Sequence, residues 1–181
     1  SVDEAGGWVY FTALEKSSVE RHLYRVRLDG SGFERLTRED GTHRVIFGPD
    51  RRRFLGYHSS HRVLPSLTLR AAGGATEMVV SPPRTDLLAG LDVVYPELTT
   101  VPAADGFRLP ARILRPAGFD PAKRYPVIVN PYGGPSAPTV RDGFAGGSGL
   151  FDQVLARAGY VVFNVDPRSA AAIAKKLENT V

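Results

Sequence analysis

Apolar residues between positions 8 and 80 fall in runs of four to seven, each closed by glycine, proline or charged residues. Runs of seven residues or fewer are too short for a well-formed helix and read as strands. The pattern predicts strands at Trp8–Ala13, His22–Leu28, Phe33–Thr37, His43–Phe47, Phe54–His58, Ser66–Ala71 and Thr76–Val80. Shifting the region on itself by 43 positions lays Tyr24 to Leu36 over Leu67 to Val79. That shift sets Arg27 on Arg70, Gly30 on Gly73, Glu34 on Glu77 and Phe11 on Phe54. An all-β period in the forties predicts the blades of a propeller. One blade cannot bury both of its faces, so two blades imply further packing partners or a larger ring.

The pattern changes near Ser81-Pro-Pro-Arg, with a connector predicted at Thr85–Val94 and a boundary between Pro82 and Asp92. The expected units are therefore residues 1–85, closing blades of a propeller, and residues 86–181, a linker with the opening part of an α/β domain. In the second unit, strands are predicted at Leu98–Val101 and Phe107–Leu114, joined by a turn at Ala104-Asp105-Gly106. Val127 to Val129 reads as a strand buried on both faces, ended by Asn130-Pro-Tyr-Gly-Gly-Pro135. A helix follows over Leu150–Ala158, stopped by Gly159, then a strand at Tyr160–Val165 and a second helix at Ala170–Glu178. Strand, helix, strand, helix is the order of a parallel α/β sheet, here with few strands.

Composition adds limits. The net charge is +4, from 23 Lys+Arg against 19 Asp+Glu, and the basic residues are scattered apart from Arg51-Arg52-Arg53. Without aromatic interleaving or a zinc-knuckle spacing, that triplet reads as a solvated turn, and no nucleic-acid partner is expected. Cysteine is absent, which excludes disulfides and thiolate metal sites but leaves the compartment open. No apolar run is long enough for a membrane-spanning helix. The chain opens on Ser1 and its one methionine is Met78, so the natural start is expected elsewhere.

Candidate chemistry is sparse. No Gly-x-Ser-x-Gly elbow occurs. Ser148 reads as an N-terminal signal for the Leu150 helix, and Ser169 as a cap for the Ala170 helix. His22, His43, His58 and His61 all lie in the repeat region. His58 and His61 could begin a metal site only with ligands that the sequence does not place, so no metal is expected. The glycines of Gly143–Gly149 match neither a dinucleotide nor a Walker pattern, so no cofactor is expected. Tyr132 sits at a predicted strand tip, where a phenol can donate into a ligand site or simply cover the sheet edge.

Several segments in order carry a likeness: Glu15-Lys-Ser with Arg21-His-Leu-Tyr-Arg-Val, Phe47-Gly-Pro-Asp, Tyr125 to Pro135, Ala158-Gly-Tyr-Val-Val-Phe, and Asp166-Pro-Arg-Ser. Through them the chain resembles the dipeptidyl peptidase IV-like serine peptidases of the prolyl oligopeptidase family. The resemblance implies a propeller over an α/β-hydrolase domain and release of N-terminal dipeptides from peptide substrates, often after proline. It implies that Tyr132 donates to the oxyanion of the tetrahedral intermediate. The family's serine, acid and histidine have no counterpart in these 181 residues. The chain alone is therefore expected to be an inactive piece of a peptidase. A non-catalytic module that binds peptides or oligomerises through unpaired strand edges is the competing expectation.

Overall fold

A computed structural model describes residues 1–132, 134 and 137–170. It contains three four-stranded sheets. The first holds β1 (Val2–Asp3), β2 (Trp8–Ala13), β3 (His22–Arg27) and β4 (Glu34–Arg35). The second holds β5 (Thr42–Phe47), β6 (Arg53–Ser59), β7 (Ser66–Ala71) and β8 (Thr76–Ser81). Both are antiparallel meanders with strands in sequence order, the form predicted for blades. The two-residue β1 escaped the sequence pattern because it is too short to show alternation.

The repeat is real but its spacing needs correction. Gly30 and Gly74 each take positive φ and each donate N–H to the carbonyl three residues back, so the equivalent turns are 44 residues apart. Phe11 lies opposite Tyr24, whereas Gly56 lies opposite Thr68, so Gly56 and not Phe54 is the counterpart of Phe11. Identities at a shift of 43 misled because a register error of one or two residues is invisible where both faces carry apolar residues. Gly74 could not be replaced: an added Cβ would lie 2.5 Å from the Leu36 carbonyl oxygen.

Facing residues join the two sheets. Tyr10, Leu23, Leu36 and Phe54 form one buried cluster, with Trp8, Val45 and Phe47 around it. On its other face the first sheet buries Tyr24 against Phe11 and Phe33, whereas Leu55 and Ile46 on the other face of the second sheet are exposed.

The third sheet is ordered β11-β12-β10-β9, with β9 (Glu97–Pro102), β10 (Arg108–Leu114), β11 (Val127–Val129) and β12 (Val161–Val165). β9, β10 and β12 pair antiparallel, while β11 pairs parallel with β12. The link between that parallel pair contains α1 (Gly146–Arg157), as the strand-helix-strand pattern predicted. α1 closes a small core of Leu114, Ala156 and Val162. Gln153 fixes the connector to α1 by accepting from Val94 N–H at 2.9 Å and donating to Val94 O at 2.8 Å.

Two expectations fail here. β11 is not buried on both faces: it is an edge strand, with Val127 and Val129 more than half exposed. Ser148 is not the residue before the helix: α1 begins at Gly146, and Ser148 Oγ donates back to Ala145 O at 2.9 Å. The connector is mostly irregular, with a single 3₁₀ turn at Thr85–Leu88. The helix expected at Ala170–Glu178 lies, but for Ala170, outside the described residues. Ser169, its expected cap, is buried in a 3₁₀ turn at Arg168–Ala170.

Candidate functional site

Tyr132 stands two residues beyond the ladder of β11, which Asn130 prolongs by donating N–H to Phe163 O at 2.9 Å. Its ring is half exposed and bends over Gly134. A Cβ on Gly134 would sit 2.6 Å from Cε1 and 2.9 Å from the hydroxyl oxygen, so only glycine allows this ring position. Tyr132 lines a cleft of about 580 Å³ together with Leu14, Ser18 and Val19 of the β2–β3 loop. A second chamber of about 450 Å³ adjoins it and reaches Tyr57, Ser59, Arg112 and Asn164. Thr42, Arg44, Thr139 and Arg141 line both chambers.

One segment, 139–144, builds the junction. Asp166 follows β12 and is buried, and its carboxylate accepts from Thr139 N–H at 2.9 Å, Val140 N–H at 2.8 Å and Thr139 Oγ1 at 2.6 Å. Those donors satisfy a charge that burial would otherwise penalise. Asp142 then spans to both blade-like sheets. Its N–H donates to Val19 O at 2.7 Å, its carbonyl accepts from Thr42 Oγ1 at 2.7 Å, and Oδ1 accepts from His61 N–H at 2.7 Å. Phe144 N–H adds a bond to Ser59 Oγ at 3.2 Å. The cleft is therefore framed by directional bonds from three sheets, which is what precise placement of a donor requires.

Electrostatics favour anions. Arg112 pairs with Asp152 at 2.9 Å, but Arg21, Arg44 and Arg141 make no ion pair among the described residues. Neither serine of the second chamber is paired with a base among the described residues. Ser59 Oγ and Ser148 Oγ are bonded to backbone, and the described histidines contact neither. Thr37, His22 and Glu20 form a chain at 3.1 and 3.0 Å that has the order of a catalytic triad. It cannot act as one: Thr37 and His22 are fully buried, and Thr37 Oγ1 already accepts from Leu23 N–H. His58 Nε2 donates to Asp40 O and His61 Nδ1 bonds Asp142, so the two candidate metal ligands are separately engaged. No cluster of three metal-ligating side chains occurs among the described residues.

The sequence reading placed Tyr132 at a strand tip, and the structure sets it against the cleft. It missed Arg44, Arg141, Asn164 and Asp166. Asp166 was marked only as part of Asp166-Pro-Arg-Ser, and a strand-end aspartate before proline is the one signal that could have pointed to it.

Residues 1–65 match the family described as the dipeptidyl peptidase IV (DPP IV) N-terminal region. The probable dipeptidyl-aminopeptidase B of Emericella nidulans is 34% identical over 180 residues, which cover 97% of this chain and 20% of that protein. The protein of the same name from Tuber melanosporum is also 34% identical, over 194 residues, with the same coverage. The crystal structure of Porphyromonas gingivalis dipeptidyl peptidase 4 superposes with a TM-score of 0.88 at 24% identity, over 96% of this chain and 24% of that one. The chain thus spans about one fifth of the length of the fungal relatives it matches. Over nearly its whole length it shares the fold of part of a dipeptidyl peptidase 4 and is similar in sequence to dipeptidyl peptidase IV-like proteins.

Proposed function

We propose that the chain is the junction of a serine exopeptidase that releases N-terminal dipeptides, often after proline. Residues 1–85 form its last propeller blades, and residues 86–181 form the linker and the opening strands of an α/β-hydrolase domain. Tyr132 is the oxyanion donor. The observation that carries this reading is the place of Tyr132: its phenol stands at the tip of β11, in a cleft walled by the first two sheets and fixed by the 139–144 segment. A donor preset toward developing negative charge lowers the barrier without reorganisation at the moment of reaction. The remaining chemistry, nucleophile with acid and base, must come from residues outside this chain, because an unactivated hydroxyl is a weak nucleophile.

Two measurements test this. In an active polypeptide that contains the chain, Tyr132→Phe should lower kcat about 10²- to 10³-fold with little change in KM. Unchanged kcat would remove the oxyanion role. The isolated 181-residue chain should leave a chromogenic Xaa-Pro substrate intact; cleavage that a serine-directed reagent blocks would contradict the inactive assignment.

The exposure of β8 supports a second reading as an interaction module. All six residues from Thr76 to Ser81 are exposed, including Met78, Val79 and Val80, and an apolar edge strand invites pairing with a second copy. Light scattering across a concentration series should then show a dimer that Val79→Lys abolishes; a monomer throughout would end this reading.

A further inference from the structure

β11 delivers Tyr132 to the cleft with little apolar anchorage. It is an edge strand of three residues, and its Val127 and Val129 are more than half exposed. Burial therefore does little to fix the direction in which the chain leaves the strand, and directional bonds must do it. Asn130 makes two of them. Its N–H donates to Phe163 O at 2.9 Å, and its carbonyl accepts from Asn164 Nδ2, also at 2.9 Å. These bonds fix the peptide planes on either side of Asn130, and hence its φ and ψ. Pro131 follows, with its own φ locked by the ring. Few free torsions then separate the β12 ladder from the Tyr132 ring. The segment is tied to the same strand end again at 139–140, where Asp166 accepts from Thr139 and Val140 N–H.

Asn164 serves stability poorly. It is only 7% exposed, and its Oδ1 has no partner among the described residues. A buried amide that leaves an acceptor unpaired costs free energy, so the use of this side chain lies in its other atom. Turning the amide over brings no relief, because Oδ1 would then meet the Asn130 carbonyl. We propose that Asn164 is a positioning residue: through Nδ2 and the Asn130 carbonyl it sets the direction of the Tyr132 phenol. The proposal rests on the reading of Tyr132 as the oxyanion donor, and it gives Asn164 no contact with substrate.

A double-mutant cycle in an active polypeptide that contains the chain tests it. Asn164→Leu is close in shape and removes both the donor and the unpaired acceptor, so a side chain that only packs would tolerate it. With a positioning role, kcat should fall about 10- to 100-fold with little change in KM, the scale on which a misplacement of about 1 Å is felt. The urea midpoint should hold or rise. In the Tyr132→Phe background no phenol is left to aim, and Asn164→Leu should there change kcat less than about twofold. Asn164→Asp keeps the outline but turns the donor into an acceptor; it should slow turnover at least as much, and it covers the case in which the leucine variant does not fold. Full kcat in both Asn164 variants overturns the proposal. So does an equal loss with and without the phenol, since Asn164 would then act by another route. The two readings fail differently: if Tyr132→Phe itself leaves kcat unchanged, both fall, whereas if it slows turnover and Asn164→Leu does not, only the positioning role falls.

Discussion

The paired blade-like sheets and the third sheet have four strands each, yet different forces hold them. Between the first two, each sheet is the other's cover. Tyr10 and Phe47 lie 4.6 Å apart and Phe47 and Phe54 5.1 Å apart, so aromatic rings from both sheets fill one shared core. The third sheet has a smaller apolar cluster of Leu114, Ala156 and Val162, with Ala111 also buried, and its link to the other two is largely polar, through Asp166 and Asp142. Apolar burial is strong but indifferent to direction, whereas hydrogen bonds fix angles. A scaffold suits the first, and a cleft that must aim a phenol suits the second.

Truncating the shared core should have the largest effect. Phe54→Ala is expected to cost about 3–5 kcal/mol in urea unfolding and to loosen both sheets together. Selective loss of the second sheet would mean that the core is not shared. Asp166→Ala should come next, at roughly 2–3 kcal/mol, since the buried Val140 N–H and two partly buried Thr139 donors lose their acceptor. Its signature should be local. Amide exchange should accelerate at 139–142 while β2, β3 and β6 stay protected, and acceleration spread evenly over all sheets would erase the contrast.

Acid should act on the blade pair before the third sheet. Burial, reinforced by the neighbouring His58 and His22 rings and only partly opposed by its bond to Glu39 O, pushes His43 down to about 4. The unfolded chain protonates that ring near its usual 6.5, so the unfolded state binds more protons below that value. The stability from neutral His43 is thus fully present above pH 6.5 and is lost as pH falls to about 4, roughly 2–3 kcal/mol in all. His43→Gln should flatten the urea midpoint between pH 7 and 4.5; an unchanged slope would assign the loss elsewhere. Glu39 does not confuse this window. Burial would raise its carboxyl, but the bonds and charge of Arg70 win and hold it to about 2, so its loss begins only below about 4.5.

These contrasts show what the amino-acid order could reveal. Strand existence was legible for every blade strand except β1 because alternation and glycine turns are local, and β2 and β7 match their expected ranges. Register was not, as Phe11 shows, because pairing is set by turns and packing rather than by residue identity. Tyr132 was legible because proline and glycine mark a strand tip. Arg44, Arg141 and Asn164 lie on separate elements, and only the path of segment 139–144 gathers them, so no local pattern could name the cleft.

The smallest predicted effect separates the two edges of the third sheet's own packing. Val162 on β12 is 2% exposed, whereas Val129 on β11 is 55% exposed, although both are valines in neighbouring strands. Val162→Thr places a hydroxyl in the apolar core beside Leu114 and Ala156 and should cost about 1–2 kcal/mol. Val129→Thr leaves its hydroxyl in water and should cost less than about 0.5 kcal/mol in the 181-residue chain. Threonine keeps the branched shape, so β-propensity cancels between the two and only burial differs. Equal costs in urea unfolding would mean that β11 is covered in solution and that the third sheet, like the blade pair, owes its stability mainly to apolar burial.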